Sequence, residues 1–338
     1  MLLAEEYWSP MRRVGTPGIS LDLMKRGNHE TRCQCRHCVG LRRRGAKTWN
    51  DLRRLFNALS KQDYKGQAEF VLCENADLNG KIPLDLMDLL PGLRIVLVEE
   101  SASYELKNAG MQAARADLAV ILDADCVPDS DWLRILVNAM NANPEASFIS
   151  GKTVYAGQGL GERMLSILSR SYVDTGQAGV TRYISNNNAA WRRAVYLAHP
   201  LPANLGPFAG RMQSESIRRA RGQLLFEPRM RVVHDFEGWP MEVDIRRNCG
   251  YGTVIARLHD RALPFAWLTR LGVFSIPAFV VGKTMESWRD CLRCARGYGI
   301  RWHEIPVVLA CSIVVHALEA PGMWLAFRGM TTMETKYR

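Results

Sequence analysis

The stretch that most constrains the fold is Leu118 to Pro128, LAVILDADCVP. Five apolar residues, Leu118 to Leu122, run straight into Asp123-Ala124-Asp125. A continuous apolar run of this length suits a strand buried on both faces of a parallel sheet. Strand alternation puts Asp123 and Asp125 on one side of the chain. The carboxyl ends of strands are where open α/β sheets bind ligands. Two carboxylates this close repel unless a cation or ligand lies between them. A hard divalent cation, Mn2+ or Mg2+, shared with substrate phosphates is the economical solution. The plainer alternative is that both aspartates cap a helix spanning Asp129 to Met140, a task for which Asp129 and Ser130 are better placed.

Composition narrows the class. The 338 residues allow one large or two ordinary domains, and 47% hydrophobic residues can fill a core. The net charge of +10 is uneven: Met1 to Asn50 holds ten Lys/Arg against four Asp/Glu. A basic balance favours phosphorylated substrates, anionic lipid or nucleic acid. Aromatic residues are not interleaved with the basic ones as in a single-strand-binding groove, which argues against nucleic acid. Nine scattered cysteines fit a reduced, cytosol-facing protein.

Residues 1–47 show no useful period and read as an atypical basic segment, disordered on its composition. Cys33, Cys35 and Cys38 crowd together with His29 and His37, but the second paired half of a zinc site is missing. Thr48 is a helix cap in this reading, followed by Leu52, Leu55, Phe56 and Leu59 at helical spacing. Ala68 to Cys73 is a buried strand leading into Glu74-Asn75-Ala76-Asp77. Pro83 to Leu90 is a short helix, Leu93 to Val98 a strand, and Tyr104 to Ala114 a helix before the Asp-x-Asp strand. Such alternation predicts an α/β fold with a doubly wound, mostly parallel sheet.

These residues carry a family resemblance. WNDLRRLFNALSKQDY, EFVLCENAD and YELKNAGMQAARADLAVILDADCVPDSDWL resemble the nucleotide-sugar-binding half of family 2 glycosyltransferases of the GT-A fold. The last is the specific one: Lys107-Asn108-Ala109-Gly110, then Asp123-Ala124-Asp125, Pro128 and Trp132-Leu133. SNNNAAWRR (185–193) is similar to the family's acceptor-side segment, and RRARGQLLFEPRMRVVHDF to the stretch that closes the domain with a histidine.

The resemblance implies a GT-A domain over 48–260 and transfer of a sugar, with inversion, from a nucleotide-sugar to a saccharide or lipid-linked acceptor. It implies metal binding through Asp125 and Asp123, with His234 on the metal or the diphosphate. Glu74, with Asp77 behind it, stands where the family binds base or ribose, and Lys107 approaches the diphosphate. Asn186, Asn187 and Asn188 suit hydroxyl recognition. Trp239 suits stacking on a sugar. Two departures stand out. The family's first strand belongs just before Thr48, where TRCQCRHCVGLRRRG carries too many arginines to bury. Either Pro17 to Leu23 substitutes, or the segment is not the native frame. The family's Glu-Asp pair, its catalytic base, falls on Gly210-Arg211. Glu215 is then the best base, against a plain salt bridge to Arg218 or Arg219. Both departures favour a second reading: a catalytically inactive relative that binds nucleotide-sugar or a partner at the membrane.

After Asp260 the composition changes. Leu263 to Gly282 and Ile305 to Phe327 are apolar stretches of about membrane length. Residues 261–330 therefore read as a membrane-associated region of hydrophobic and amphipathic helices. Lys283 to Arg301, with five basic and two acidic residues, reads as a cytoplasmic loop. Two full spans would put that loop and the catalytic domain on opposite faces. The conflict vanishes if the first stretch lies in the interface and only the second spans.

Overall fold

The computed structural model describes residues 35–40, 45–99, 103–236 and 238–330, with backbone alone for 35–40, 45–48 and 203–204. The chain runs β1 (Cys35–Gly40), α1 (Gly45–Ser60), β2 (Ala68–Asn75), α2 (Asp85–Leu89), β3 (Arg94–Val98) and α3 (Ser103–Ala113). It continues with β4 (Leu118–Leu122), β5 (Cys126–Pro128), α4 (Trp132–Ala142), β6 (Ala146–Tyr155), α5 (Leu160–Arg170), β7 (Gly179–Val180) and β8 (Asn188–Arg192). The remaining elements are α6 (Arg193–Ala198), α7 (Ala209–Arg219), β9 (Gln223–His234), α8 (Trp239–His259), α9 (Ile276–Cys294), α10 (Ile305–Ala317) and α11 (Ala320–Phe327).

All nine strands form one sheet, in the order β3-β2-β1-β4-β8-β6-β9-β5 with β7 beside β9. The first four pair in parallel. Beyond β4 the sheet is mixed: β8 runs antiparallel to β4 and β6, while β6 and β9 are parallel. All five residues of β4 are buried. Leu118, Val120 and Leu122 enter one hydrophobic cluster with α1 and α4. Ala119 and Ile121 enter another with Met111 of α3 and Ile217 of α7. Helices therefore cover both faces, which is why β4 is apolar throughout rather than alternating.

The segment before Thr48 corrects the sequence reading. β1 lies in a central position, between β2 and β4. The objection from buried arginines applied to a window longer than the strand, because CRHCVG contains only Arg36. Helix α1 also starts at Gly45, so Thr48 is inside it rather than its cap. Pro17 to Leu23, Cys33 and His29 lie outside the described residues, as do the side chains of Cys35, His37 and Cys38.

The C-terminal region differs from two apolar stretches joined by a loop. Ala266–Ser275 is a 3-10 segment broken at Gly272, where φ is 58°. Helix α9 then begins at Ile276 and runs through most of the expected loop to Cys294. Cys291 and Cys294 are both buried there, and burial pushes their thiols up to about 11. The Cys294 thiol donates to the Asp174 carbonyl, Sγ···O 3.3 Å. Among the described residues, one helical stretch, Trp302–Phe327, is long and apolar enough to cross a membrane.

Candidate active site

The chain turns sharply where β4 ends. The Cys126 amide donates to the Asp123 carbonyl at 3.0 Å, and the Asp123 amide to the Asn187 carbonyl at 3.3 Å. The turn sends the two aspartates to different partners. Asp123 meets Lys107 of α3, Oδ1···Nζ 2.6 Å, and the same ammonium donates to the Asn186 carbonyl at 3.0 Å. Burial works to raise the Asp123 pKa, but the Lys107 charge and hydrogen bond, with His234 and Arg170 behind, outweigh it and hold the carboxyl below its usual range. Lys107 is thus a buried member of the site rather than a surface lysine.

Asp125 faces β9. The antiparallel pairing of β5 and β9 sets Cys126 opposite His234, the last residue of β9. His234 Nε2 lies 3.4 Å from Asp125 Oδ1. Its Nδ1 is 2.6 Å from the Asp235 carbonyl. A carbonyl only accepts, so Nδ1 carries the hydrogen, and in the neutral ring Nε2 carries a lone pair. A lone pair facing a carboxylate oxygen needs a proton or a cation between them. Asp125, Cys126 and His234 bring their ligand atoms within 4.8 Å of one another. Cys126 is the weakest of the three: burial, then the Asp125 and Asp123 charges, raise its thiol pKa well above the ordinary value. The residues fit a divalent cation held by Asp125 and His234 Nε2 with Asp123 beside it, and the oxygen donors suit Mn2+ or Mg2+.

Asp123, Asp125 and His234 line one end of a cavity of about 500 Å³. α8, α9 and the α10–α11 junction also contribute to its lining. Asn186 and Asn187 reach the cavity; Asn187 is fully engaged, whereas the buried Oδ1 of Asn186 has no hydrogen-bond partner among the described residues. Asn186 Nδ2 donates to Gln213 Oε1 at 3.2 Å. Asn187 Oδ1 accepts from Ser185 Oγ at 2.5 Å, and its Nδ2 donates to Thr153 Oγ1 at 3.2 Å. Asn188 is a structural clamp instead. It is fully buried, donates to the Lys152 and Met230 carbonyls at 3.2 and 2.8 Å, and accepts from Trp132 Nε1 at 2.9 Å.

Other expected residues lie off the described wall. Glu74 is buried within β2, opposite Leu97 of β3, and Asp77 is exposed in the 3-10 turn that follows. Trp239 is 52% exposed at the start of α8, edge-on to Phe236, which does line the cavity. Glu215 sits in an ion pair with Arg218 at 3.0 Å and lies 3.8 Å from Arg182. The salt-bridge alternative is what the structure contains, and the geometry does not bring Glu215 to the cavity. Arg211, read from sequence only as a missing acid, is a wall residue: its guanidinium lies 4.6, 5.6 and 5.9 Å from the Tyr183, Tyr172 and Phe208 ring centres.

Residues 42–197 match the family model described as glycosyl transferase family 2. Over this segment the chain is similar to family 2 glycosyltransferases. The segment contains Lys107, Asp123, Asp125 and the three asparagines, whereas His234 lies beyond it. A mannosyltransferase from Pyrobaculum calidifontis, in complex with GDP-Man and Mn2+, superposes with a TM-score of 0.53 at 15% identity, over 89% of this chain and 87% of that one. Residues 1–349 of S. aureus TarS, in complex with UDP, give a TM-score of 0.47 at 12% identity, over 88% of this chain and 90% of that one. The likeness to the mannosyltransferase is one of fold: a GT-A glycosyltransferase sheet followed here by C-terminal helices. No curated protein matches the chain.

Proposed function

We propose that the protein transfers a sugar, with inversion, from a nucleotide-sugar to a saccharide or lipid-linked acceptor, using Mn2+ or Mg2+ at the cytoplasmic face of a membrane. The observation that carries this reading is the Asp125–His234 contact, a carboxylate oxygen and an imidazole Nε2 3.4 Å apart at the carboxyl end of the sheet. Asp125 and His234 would hold the cation there. The cation supplies charge neutralisation to a leaving diphosphate. Lys107, fixed between Asp123 and the Asn186 carbonyl, adds a buried positive charge beside the same point. Tyr155 closes that end of the cavity, its ring edge-on to His234 at 5.4 Å, which limits water there.

Membrane attachment is supported by the outside of the helical region. Fourteen of the twenty large apolar side chains exposed among the described residues lie between Phe265 and Met330. Such concentration marks an interaction surface rather than scattered surface apolarity.

Titrating the protein with UDP-glucose, UDP-N-acetylglucosamine and GDP-mannose, with Mn2+ and then with EDTA, tests the function. At least one donor should bind in Mn2+, lose its affinity in EDTA, and be turned over. Binding without turnover would favour the inactive-relative reading, and no binding at all would remove the glycosyltransferase function.

A further inference from the structure

Eight carboxylates besides Glu286 line the cavity, and each already has a task. Asp123 and Asp125 belong to the donor end. Asp51 lies 3.7 Å from Arg54. Asp174, Asp235, Glu242, Asp290 and Glu319 each hold a Lys or Arg side chain within 3.3 Å. Glu286 alone differs. It is half-buried on α9, lines the cavity, and makes no hydrogen bond or ion pair with any of the described residues.

Its placement follows from helical spacing. Lys283, Glu286, Ser287, Asp290 and Arg293 recur at intervals of three and four, and all five line the cavity. Their helix packs with α5, α10 and α11, and this stripe is the face it turns to the cavity. The negative charge of Glu286 is felt at Arg211, whose guanidinium stays charged among the Tyr172, Tyr183 and Phe208 rings. Arg211 occupies the point in the chain where the family resemblance puts an acidic base. The carboxylate missing there from α7 is thus supplied, in the same cavity, from α9.

We propose that Glu286 is the general base of the transfer, an assignment that rests on the glycosyltransferase reading above. The acceptor O–H gives its proton to the Glu286 carboxylate. The acceptor oxygen bonds to the anomeric carbon, and the bond from that carbon to the diphosphate oxygen breaks, its electron pair leaving with the nucleoside diphosphate. Arg211, held by its rings, positions the acceptor beside Glu286. The Tyr172 and Tyr183 rings offer faces for a sugar acceptor. The base therefore comes from the C-terminal helices rather than from the glycosyltransferase domain.

The test uses the full-length protein with Mn2+ and the three donors named above, with water as the acceptor common to all. Nucleoside diphosphate release is followed, and donor affinity is measured by calorimetry. Glu286→Gln should lower release by about 100-fold or more, the scale of general acid–base catalysis, with donor affinity within about twofold of wild type because the donor end is untouched. Glu286→Ala should regain part of its rate as formate is added, an effect that a purely structural role would not produce. A Glu286→Gln protein releasing nucleoside diphosphate at the wild-type rate overturns the assignment, and so does a Glu286→Ala protein indifferent to formate. If no donor binds the wild type, the glycosyltransferase reading itself falls; if donors bind and turn over but both variants behave as wild type, only Glu286 does.

Discussion

At the scale of single residues, the same side-chain type does different work two positions apart. Asp123 is neutralised by Lys107 in direct contact, whereas Asp125 touches the imidazole of His234 and feels Arg54 only through space. Asp125→Ala should therefore abolish Mn2+-dependent donor binding while leaving the melting temperature nearly unchanged, since it removes charge at a cavity rim rather than packing. Calorimetric titration with and without Mn2+ checks this, and an unchanged metal-dependent affinity would contradict it. Asn188 sits at the other extreme. It ties β8 to β6, β9 and α4 through three hydrogen bonds in a fully buried site. Asn188→Ala strands two carbonyls and an indole N–H, so a loss of about 3 kcal/mol or more is expected in denaturant unfolding. The sequence displayed Asn186 to Asn188 as one polar run; direction was not legible, because it depends on where the β8 pairing begins. That Asp123 and Asp125 stand at the end of a buried strand was legible, because the sequence switches there from apolar to acidic residues. Glu286 was not, because its role is defined by what it fails to pair with in three dimensions.

At the scale of elements, the docking of α11 on α8 shows how closely the C-terminal helices pack against the helix that lines the cavity. The two helices meet at glycines. A Cβ on Gly322 would lie 1.8 Å from the Arg247 carbonyl oxygen, and one on Gly250 would lie 2.0 Å from that of Glu319. Neither contact can relax through a flexible side-chain end. Gly322→Ala should therefore push α11 off α8 at a cost of about 1–3 kcal/mol. Faster amide exchange through α11, with β4 and β8 protected as before, is the expected signature; unchanged exchange in α11 would count against tight docking. The pattern GYG in α8 and APG in α11 gave no hint of this, since glycines on two distant helices reveal a close approach only once they are packed. β1 was misjudged for a related reason. Arginines were counted over a long window, whereas burial is decided strand by strand, and CRHCVG is short enough to exclude most of them.

At the scale of the whole molecule, α9 and α10 bury several polar side chains and expose several apolar ones. On α9 the buried residues include Thr284, Ser287 and Asp290, while Val281, Met285 and Leu292 are exposed. On α10, Ser312 and His316 are buried, and Val307, Ile313 and Val314 are exposed. Such a surface is what the proposed membrane attachment needs, with apolar side chains outside and a polar cavity inside. Phe274 and Trp302, 86% and 82% exposed, stand among the most open of these side chains, and a tryptophan is at home at headgroup depth. Arg270, Arg289 and Arg296 share the region, which suits an anionic leaflet. The quadruple substitution Phe274→Ser, Trp302→Ser, Val314→Ser and Met285→Ser alters exposed positions only, so the fold and donor binding should persist. Flotation with vesicles of phosphatidylserine and phosphatidylcholine should show the wild type bound and the variant at least about tenfold weaker, because burying a single large apolar side chain contributes about 1.5–3 kcal/mol. Raising the salt should weaken the wild type only in part, since the apolar contribution is not screened. A variant that floats as the wild type does, and is released wholly by salt, would transfer the attachment from this apolar face to the basic residues.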